Sequence, residues 1–221
     1  QNLRDETYKH FAIDKDIEVI VNFVDVSRFN RKPIDAFKKV IAPNGERVLL
    51  HASNFRKIKR VQDVVKIFAK LSKEIPSKLL FVGDGPERST AEDLARELGV
   101  FDDIRFVGKQ EQMEDILAIA DLFLLTSEYE SFGLAALEAM AAGVPVVSTN
   151  AGGLLEINAD GETGYTANVG DIEAMYLKAK SILEDDKRLQ AFKERAAVHA
   201  RQFDINKIVP LYEKLYERFV G

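Results

Sequence analysis

Two glutamates that could bind a sugar, Glu130 and Glu138, are separated by seven residues in the stretch ESFGLAALE. The alanine- and leucine-rich residues after Gly133 favour a helix, so the helix is expected to begin near this glycine. The first amides of a helix have no partner within it, and the helix dipole adds positive charge, so its start favours an anion such as a diphosphate. Glu138 can accept hydrogen bonds from two adjacent sugar hydroxyls, while Glu130 reaches another part of the ligand. This spacing predicts a clamp for a nucleotide sugar.

The segment before the two glutamates bears on whether they form a ligand site or an ordinary helix start. A carboxylate near a helix N-terminus is favourable without any ligand, so spacing by itself leaves both interpretations open. Residues 120–127 form an apolar run that ends in small polar residues, which is typical of a buried parallel strand. The glutamates then follow the carboxyl end of a strand, where open α/β sheets bind their ligands.

The composition is that of an ordinary globular protein. The chain has 221 residues, of which 46% are hydrophobic, enough for one α/β domain. A net charge of -5 argues against nucleic acid or an anionic membrane as the main partner. No run is long enough to span a bilayer and the start is too polar for a secretion signal, so a cytoplasmic location is predicted. The chain has no cysteine and its three histidines are scattered, which predicts no metal site.

Apolar runs alternate with amphipathic segments from about residue 47, which predicts a Rossmann-like, doubly wound parallel α/β sheet with a helical C-terminal tail. The predicted strands are 47–52, 78–82, 104–107, 121–125, 144–148 and 164–166. Helical periodicity fills the gaps between them and continues after residue 171. The three helices predicted there are 172–183, 187–200 and 205–220.

The first forty residues differ in character from the rest. They predict the end of a helix at 3–11, a short strand at 17–21 and then a mixed helical stretch. We interpret residues 1–40 as a remnant of an interdomain or amino-terminal-domain region, with a short protein that has a leading helix as the alternative. The Rossmann-like domain that binds the nucleotide sugar is expected at 41–203 and a C-terminal helix at 204–221. The apolar positions expected to be exposed on that helix, where they could drive self-association as a homo-oligomer, are Ile208, Leu211, Leu215 and Phe219.

Three further loops are expected at the same edge of the sheet. The stretch SNFRKIKR after the first strand places four basic residues within five positions before a helix. Cations oppose the dipole there, so an anionic ligand explains them better than a solvated basic face, which stays the alternative. Gly83 in the turn after the second strand would allow a close backbone approach, or belong to a simple turn. After the third strand come Gly108, Lys109 and Gln110. Their backbone groups and the glutamine amide could form hydrogen bonds with the edge of a planar base.

These motifs together resemble a known family. The stretches ESFGLAALEAMAAGVPVV, SNFRKIKR, VGDGPE, FVGKQ and AGG followed by GETGY occur at matching spacing. The chain therefore resembles the carboxyl-terminal half of family-4 retaining glycosyltransferases, which have the GT-B fold. The resemblance implies that Glu130 contacts the transferred sugar, Glu138 the ribose hydroxyls and Lys59 the diphosphate, without a metal cofactor. The other donor-binding residues that it implies are Asn54, Arg56, Gly83, Gly108, Lys109, Gln110, Ser131, Phe132, Gly133 and Leu134.

The resemblance also implies a substrate class, and the sequence departs from the family pattern at three positions. The string SNFRKIKRVQDVVKIF, with NFVD and FVGKQ, is similar to the subfamily that transfers N-acetylglucosamine from UDP-N-acetylglucosamine to L-malate in bacillithiol biosynthesis. Asn54 occupies the position of the family's usual arginine, and Arg56 is expected to substitute for it. Leu155 replaces a usual proline and Asn158 a usual apolar residue, which predicts a looser donor loop.

Several alternatives remain at this point. Since the amino-terminal domain of the fold largely recognises the acceptor, this chain is expected to be inactive without it. A non-catalytic nucleotide-sugar-binding module would use the same clamp, and a family-4 enzyme with another donor and acceptor would share the motifs. A NAD-dependent dehydrogenase would need a glycine-rich turn after the first strand, and SNFRKIKR does not supply one.

Overall fold

The computed structural model describes residues 2–220, which form a six-stranded parallel sheet with helices on both faces. The strands are β1 (Arg47–Ser53), β2 (Ser77–Gly83), β3 (Ile104–Gly108), β4 (Leu122–Leu125), β5 (Val146–Thr149) and β6 (Gly164–Ala167). Their spatial order is β3-β2-β1-β4-β5-β6, and every neighbouring pair is parallel. This is the order of a doubly wound Rossmann-like sheet, so the predicted fold is confirmed.

The helices of the described chain follow the amphipathic stretches. They are α1 (Asn2–His10), α2 (Val26–Phe29), α3 (Asp35–Ile41), α4 (Val61–Leu71), α5 (Arg88–Glu97), α6 (Met113–Ala118), α7 (Leu134–Ala141), α8 (Leu154–Ile157), α9 (Ile172–Leu183), α10 (Asp186–Ala200) and α11 (Ile205–Val220). None of these helices has both the length and the apolarity needed to cross a membrane, within the residues described.

The core has two layers, one on each face of the sheet. Leu50 packs with α2, α3, α6 and α7 in one layer, while its neighbour Leu49 packs with α4, α5 and α9 in the other. Both residues are fully buried because successive side chains of a strand point to opposite faces, and helices cover both. This explains why the strands are almost continuously apolar in sequence.

The predicted strand at 17–21 is wrong. These residues form no strand, and they lie beside α11. The hydroxyl of Tyr212 on α11 donates to the backbone oxygen of Ile20 at 3.3 Å, and Val24 forms an isolated parallel bridge with Asp204. The sequence of this segment does not show that its neighbour in the fold is a helix.

The predicted exposure of α11 is partly wrong. Ile208 is only 6% exposed, because the bridge between Val24 and Asp204 fixes the first turn of the helix on the domain. Further along, Leu215 is half-buried, whereas Leu211 and Phe219 are exposed, Phe219 by 79% of its surface. The apolar face of α11 is therefore open toward its C-terminal end.

The predicted loosening at Asn158 is also wrong, because this residue is buried with its amide fully bonded. Its Nδ2 donates to Ser148 Oγ at 2.9 Å and to the backbone oxygen of Tyr165 at 3.1 Å. Its Oδ1 accepts from Thr163 Oγ1 at 2.9 Å. A buried amide with satisfied hydrogen bonds is stabilising, so Asn158 ties β5 to β6.

Candidate functional site

The sheet order reverses between β1 and β4, which opens a crevice at the carboxyl ends of these strands. The two strands pair at Leu49 with Leu122 and at Leu50 with Phe123. The chain then passes to α4 after β1 and to α7 after β4, and these two helices pack on opposite faces of the sheet. Ligands of open α/β sheets bind at such a reversal. The residues of loops 54–60 and 126–133 therefore form the candidate site.

The structure brings Lys59 and Glu130 together across this crevice. The Lys59 ammonium forms an ion pair and hydrogen bond with Glu130 Oε1, and both side chains are largely buried. Ser127 Oγ donates to the same carboxylate oxygen at 2.8 Å. Thr126 Oγ1 donates to the backbone oxygen of Lys59 at 2.9 Å, which fixes the first loop on the second. The two residues predicted to act on the reacting sugar and its leaving group are thus within contact of each other.

The other basic residues of the first loop divide into two kinds. Arg60 adopts a left-handed backbone conformation and binds two carboxylates, Asp63 at 2.6 Å and Glu128 at 2.9 Å. Arg56 and Lys57 are exposed and have no ion-pair partner among residues 2–220. Arg60 is therefore committed to the protein, whereas Arg56 and Lys57 remain available to an anion. Asn54, also predicted to bind the donor, is exposed at the start of this loop.

His51 is a buried residue of this site whose role sequence reasoning missed. Its Nδ1 lies 2.9 Å from the backbone oxygen of Leu124, so this nitrogen carries the proton and donates. Its Nε2 then accepts from Ser53 Oγ at 2.8 Å. The imidazole bridges β1 and β4 where the strands begin to separate. A polar residue within the apolar run VLLHAS was the signal available in the sequence.

The pKa of His51 is lowered to about 4 from its ordinary value of 6.5, mainly by burial and also by the charge of Lys59, while the hydrogen bond to the Leu124 backbone oxygen opposes the shift. The unfolded chain therefore binds the proton at a higher pH than the folded chain. The stability that the neutral imidazole contributes is complete above pH 6.5 and is lost as the pH falls toward 4, by about 3 kcal/mol in total.

We expect urea unfolding to show a smaller loss of stability between pH 6.5 and 4.5 in His51→Gln than in the unchanged chain. The His10→Gln variant is the control, because His10 lies exposed on α1. Equal pH dependence in all three chains would show that His51 is not buried in its neutral form.

The glycine loop 151–153 packs against the residues around Glu130. The Gly153 amide donates to the Glu130 backbone oxygen at 2.7 Å. A Cβ on Gly153 would lie 2.3 Å from the Ser131 backbone oxygen, so a larger residue cannot fit there without moving one of the two loops. The position of Glu130 therefore depends on the glycine loop.

The start of α7 lies directly after Glu130, as predicted. Gly133 caps the helix with a φ of +97°, and a Cβ there would also collide with Leu154. The amides of Gly133 and Leu134 have no hydrogen-bond acceptor in the described chain. Ser131 and Leu134 are exposed, whereas the ring of Phe132 is buried edge-on against Phe203 at 6.0 Å. The helix start thus presents free donors to the crevice.

Glu138 is half-buried further along α7. Burial raises the pKa of its carboxyl above the ordinary value, the guanidinium of Arg28 lowers it and the nearby carboxylate of Glu114 raises it. The predicted second member of the clamp is therefore a carboxylate whose ionisation depends on its neighbours.

The remaining predicted residues lie at the ends of β2 and β3. Gly83 ends β2 so close to β1 that a Cβ would lie 1.8 Å from the Ser53 backbone oxygen. Gly108 has a φ of +68°, and Lys109 and Gln110 after it are exposed. A cavity of about 310 Å³ lies beside this loop, between α3 and α6. Its lining includes Ile34, Phe37, Val107, Gln110 and Ile116.

No group of three or more acidic, histidine or cysteine side chains able to hold a metal ion occurs among residues 2–220.

Comparison with known proteins gives a consistent result. The sequence profile of the family Glycosyl transferases group 1 matches residues 34–199. The N-acetyl-alpha-D-glucosaminyl L-malate synthase of Bacillus anthracis is 43% identical over 97% of this chain and 57% of its own length. The D-inositol 3-phosphate glycosyltransferase of Corynebacterium kroppenstedtii is 31% identical over 90% of this chain and 48% of its own length. The chain thus spans about half the length of these two relatives.

Solved structures share the fold. A glycosyltransferase from Rickettsia africae superposes with a TM-score of 0.89 over 100% of this chain and 62% of its own, at 23% identity. HepE of Anabaena, solved in complex with UDP and glucose, superposes with a TM-score of 0.83 over 90% of this chain and 57% of its own, at 24% identity.

Proposed function

Because the chain belongs to the group 1 glycosyltransferases, we propose that it is the donor-binding half of a retaining enzyme that uses a UDP-sugar. The observation that carries this proposal is the crevice between β1 and β4. Lys59, Glu130 and the free amides at the start of α7 converge there. The ammonium and the amides can donate hydrogen bonds to a diphosphate, and the carboxylate can accept hydrogen bonds from sugar hydroxyls. A nucleotide sugar requires both kinds of group.

We assign the diphosphate to Lys59, Arg56 and the amides of Gly133 and Leu134. The exposure of Arg56 and its lack of an ion-pair partner within residues 2–220 support this role in place of Asn54. Lys59 is shared between Glu130 and the ligand, so it links the sugar-binding carboxylate to the leaving group. Cations in these positions stabilise the negative charge that develops on the diphosphate as the glycosidic bond breaks.

We assign the rest of the donor to the surrounding loops. Glu130 orients the transferred sugar, and its hydrogen bond from Ser127 holds the carboxylate in place. Glu138 accepts the ribose hydroxyls. The loop of Gly108, Lys109 and Gln110 contacts the base, and the apolar cavity beside Gln110 supports this assignment because a planar ring can be partly buried there.

The relative from Bacillus anthracis suggests the substrates. Its name and its 43% identity support UDP-N-acetylglucosamine as donor and L-malate as acceptor, in bacillithiol biosynthesis. Since this chain corresponds to 57% of that protein, we propose that the acceptor is bound by an amino-terminal domain and that the isolated chain does not catalyse transfer. The exposed apolar residues are Leu3 on α1, Phe11 directly after this helix, and Leu211 and Phe219 on α11, and they suit a surface that such a domain covers. A cytoplasmic location and self-association stay predictions.

Calorimetric titration with UDP and UDP-N-acetylglucosamine tests the proposal on this chain. We expect both ligands to bind, and Glu138→Ala to weaken both at least about tenfold, because hydrogen bonds to a carboxylate are lost. The matched control is Glu97→Ala, which removes an exposed glutamate at the end of α5. Unchanged UDP affinity in Glu138→Ala would contradict the ribose assignment, and no binding by the folded, unchanged chain would contradict the donor site.

A further inference from the structure

The residue after Lys59 has an unusual backbone conformation. Arg60 has a φ of +49° and a ψ of +44°, which lie in the left-handed region. Within residues 2–220, Phe55 is the only other non-glycine residue with a positive φ. A residue with a Cβ is strained in this region, whereas glycine is not. The arginine side chain must therefore make contacts that offset the strain.

Arg60 joins the loop that carries Lys59 directly to α4. The residues Lys57–Lys59 form a single 3₁₀ turn, and α4 begins at Val61. The Arg60 amide donates to the Lys57 backbone oxygen at 3.0 Å, and the Arg60 oxygen accepts from the Asp63 amide at 2.9 Å. One residue thus ends the turn and caps the helix, so its conformation sets the direction of the loop relative to α4.

The guanidinium of Arg60 links two elements of the candidate site. Its Nε donates to Asp63 Oδ2 at 2.6 Å, and Asp63, in the first turn of α4, is only 5% exposed. Its Nη1 donates to Glu128 Oε1 at 2.9 Å. A Cβ on Gly170 would lie 3.2 Å from a terminal nitrogen of the guanidinium, so the loop before α9 also packs on it. Arg60 therefore ties loop 126–133 to the start of α4.

The ion pair between Arg60 and Glu128 lies next to the ion pair of Lys59. The carboxylate that contacts Lys59 belongs to Glu130, which follows Glu128 by two residues in the facing loop. On the other side of Lys59, the Ile58 backbone oxygen accepts from the Glu128 amide at 2.8 Å. Contacts on both sides of Lys59 thus hold the loop that carries it in register with the loop that carries Glu130.

We propose that Arg60 is a positioning residue for sugar transfer, because its two ion pairs fix the place of the Lys59 ammonium beside Glu130. The inference rests on the proposed function, in which Lys59 stabilises the leaving diphosphate. A planar guanidinium can bind two carboxylates at once in fixed directions, which suits it to this task. Displacement of a catalytic group by about 1 Å can lower a rate roughly 100-fold, so a residue that restrains Lys59 affects turnover without touching the donor.

The variant Arg60→Gly separates the side chain from the backbone. Glycine adopts the left-handed conformation freely, so this change keeps the turn and removes both ion pairs. The variant Glu128→Gln removes the ion pair to the facing loop and leaves the arginine in place. The matched control is Arg47→Gln at the amino end of β1, whose guanidinium binds the Leu183 backbone oxygen and Asp186.

The test is steady-state transfer by the full-length enzyme, with UDP-N-acetylglucosamine as the varied substrate and L-malate as acceptor. We expect Arg60→Gly and Glu128→Gln each to lower turnover about tenfold, with the donor KM within about threefold. Arg47→Gln should leave turnover unchanged. In the Lys59→Ala background, Arg60→Gly should cause no further loss of turnover, because the group that it positions is gone.

A second substitution, Arg60→Lys, keeps the positive charge but can bind one carboxylate at a time. It should show a smaller loss of turnover of the same kind, and it replaces Arg60→Gly in every comparison if the glycine variant does not fold. Thermal unfolding and UDP titration of the present chain check that each variant folds and still binds the donor.

Unchanged turnover in Arg60→Gly, with the expected loss in Lys59→Ala, would overturn the inference and leave the proposed function standing. An equal loss with and without Lys59 would also overturn the inference, because Arg60 would then act independently of Lys59, as a merely structural residue does. Full turnover in Lys59→Ala, or no transfer by the unchanged full-length enzyme, would overturn both the proposed function and the inference.

Discussion

Replacing Lys59 by alanine should lower the turnover of the full-length enzyme about 100-fold or more, with a much smaller change in donor affinity. The ammonium contacts Glu130, and the proposed role shares it between this carboxylate and the diphosphate, so the gain in affinity on donor binding is small. In the proposed role, the diphosphate carries more negative charge in the transition state, and the interaction with Lys59 strengthens at that point. An interaction that is stronger in the transition state than in the ground state raises the turnover rate without raising the affinity for the donor to the same extent.

The matched control for this prediction is Lys57→Ala. Lys57 lies two positions away in the same loop, is exposed and has no ion-pair partner among residues 2–220. Steady-state kinetics with UDP-N-acetylglucosamine as the varied substrate separate the two effects. Equal losses of donor affinity and of turnover in Lys59→Ala would show that the lysine binds ground state and transition state alike, against the proposed role.

Replacing Gly153 by alanine should destabilise the domain by about 3 kcal/mol, as severe overpacking does, and should abolish UDP binding. A Cβ at this position would lie 2.3 Å from the Ser131 backbone oxygen and 2.9 Å from the Phe132 Cα. The collision involves backbone atoms, which cannot rotate away as a side chain can. The chain must therefore move loop 130–132, which carries Glu130 and leads into α7.

Gly161→Ala is the control for the glycine loop. A Cβ on Gly161 would meet no atom within 4 Å, although its φ is +79°. This variant should lose about 1 kcal/mol from backbone strain and keep its affinity for UDP. Urea unfolding and UDP titration of both variants measure the two effects. A Gly153→Ala chain as stable as Gly161→Ala, with normal binding, would refute the close packing of the two loops.

The sheet could be predicted because its signal is local. Each of the six strands lies within two residues of its predicted bounds, since strands that are buried on both faces are apolar throughout. The largest difference is at the start of β5, predicted at Val144 and found at Val146. Pro145 lies between them and has no N–H to donate to the ladder, so pairing begins after it.

The candidate site could be located from the sequence, but its internal contacts could not. Strand order fixes which loops meet, and the motifs after β1 and β4 identified those loops. Nothing in the spacing of SNFRKIKR shows that Arg60 binds Asp63 and Glu128 while Arg56 stays unpaired. The same holds for Arg28 and Glu114, which are far apart in the chain and meet through the packing of α2 on α6.

The bridge between Val24 and Asp204 has a consequence for engineering. The Val24 amide donates to the Phe203 backbone oxygen at 3.0 Å, and the Ile205 amide donates to the Val24 oxygen at 2.9 Å. The chain thus enters and leaves the domain side by side. Whatever is joined at one of these places is therefore held close to whatever is joined at the other. For the same reason, residues 24–205 form a natural cassette for exchange between relatives, with two adjacent joints to repair.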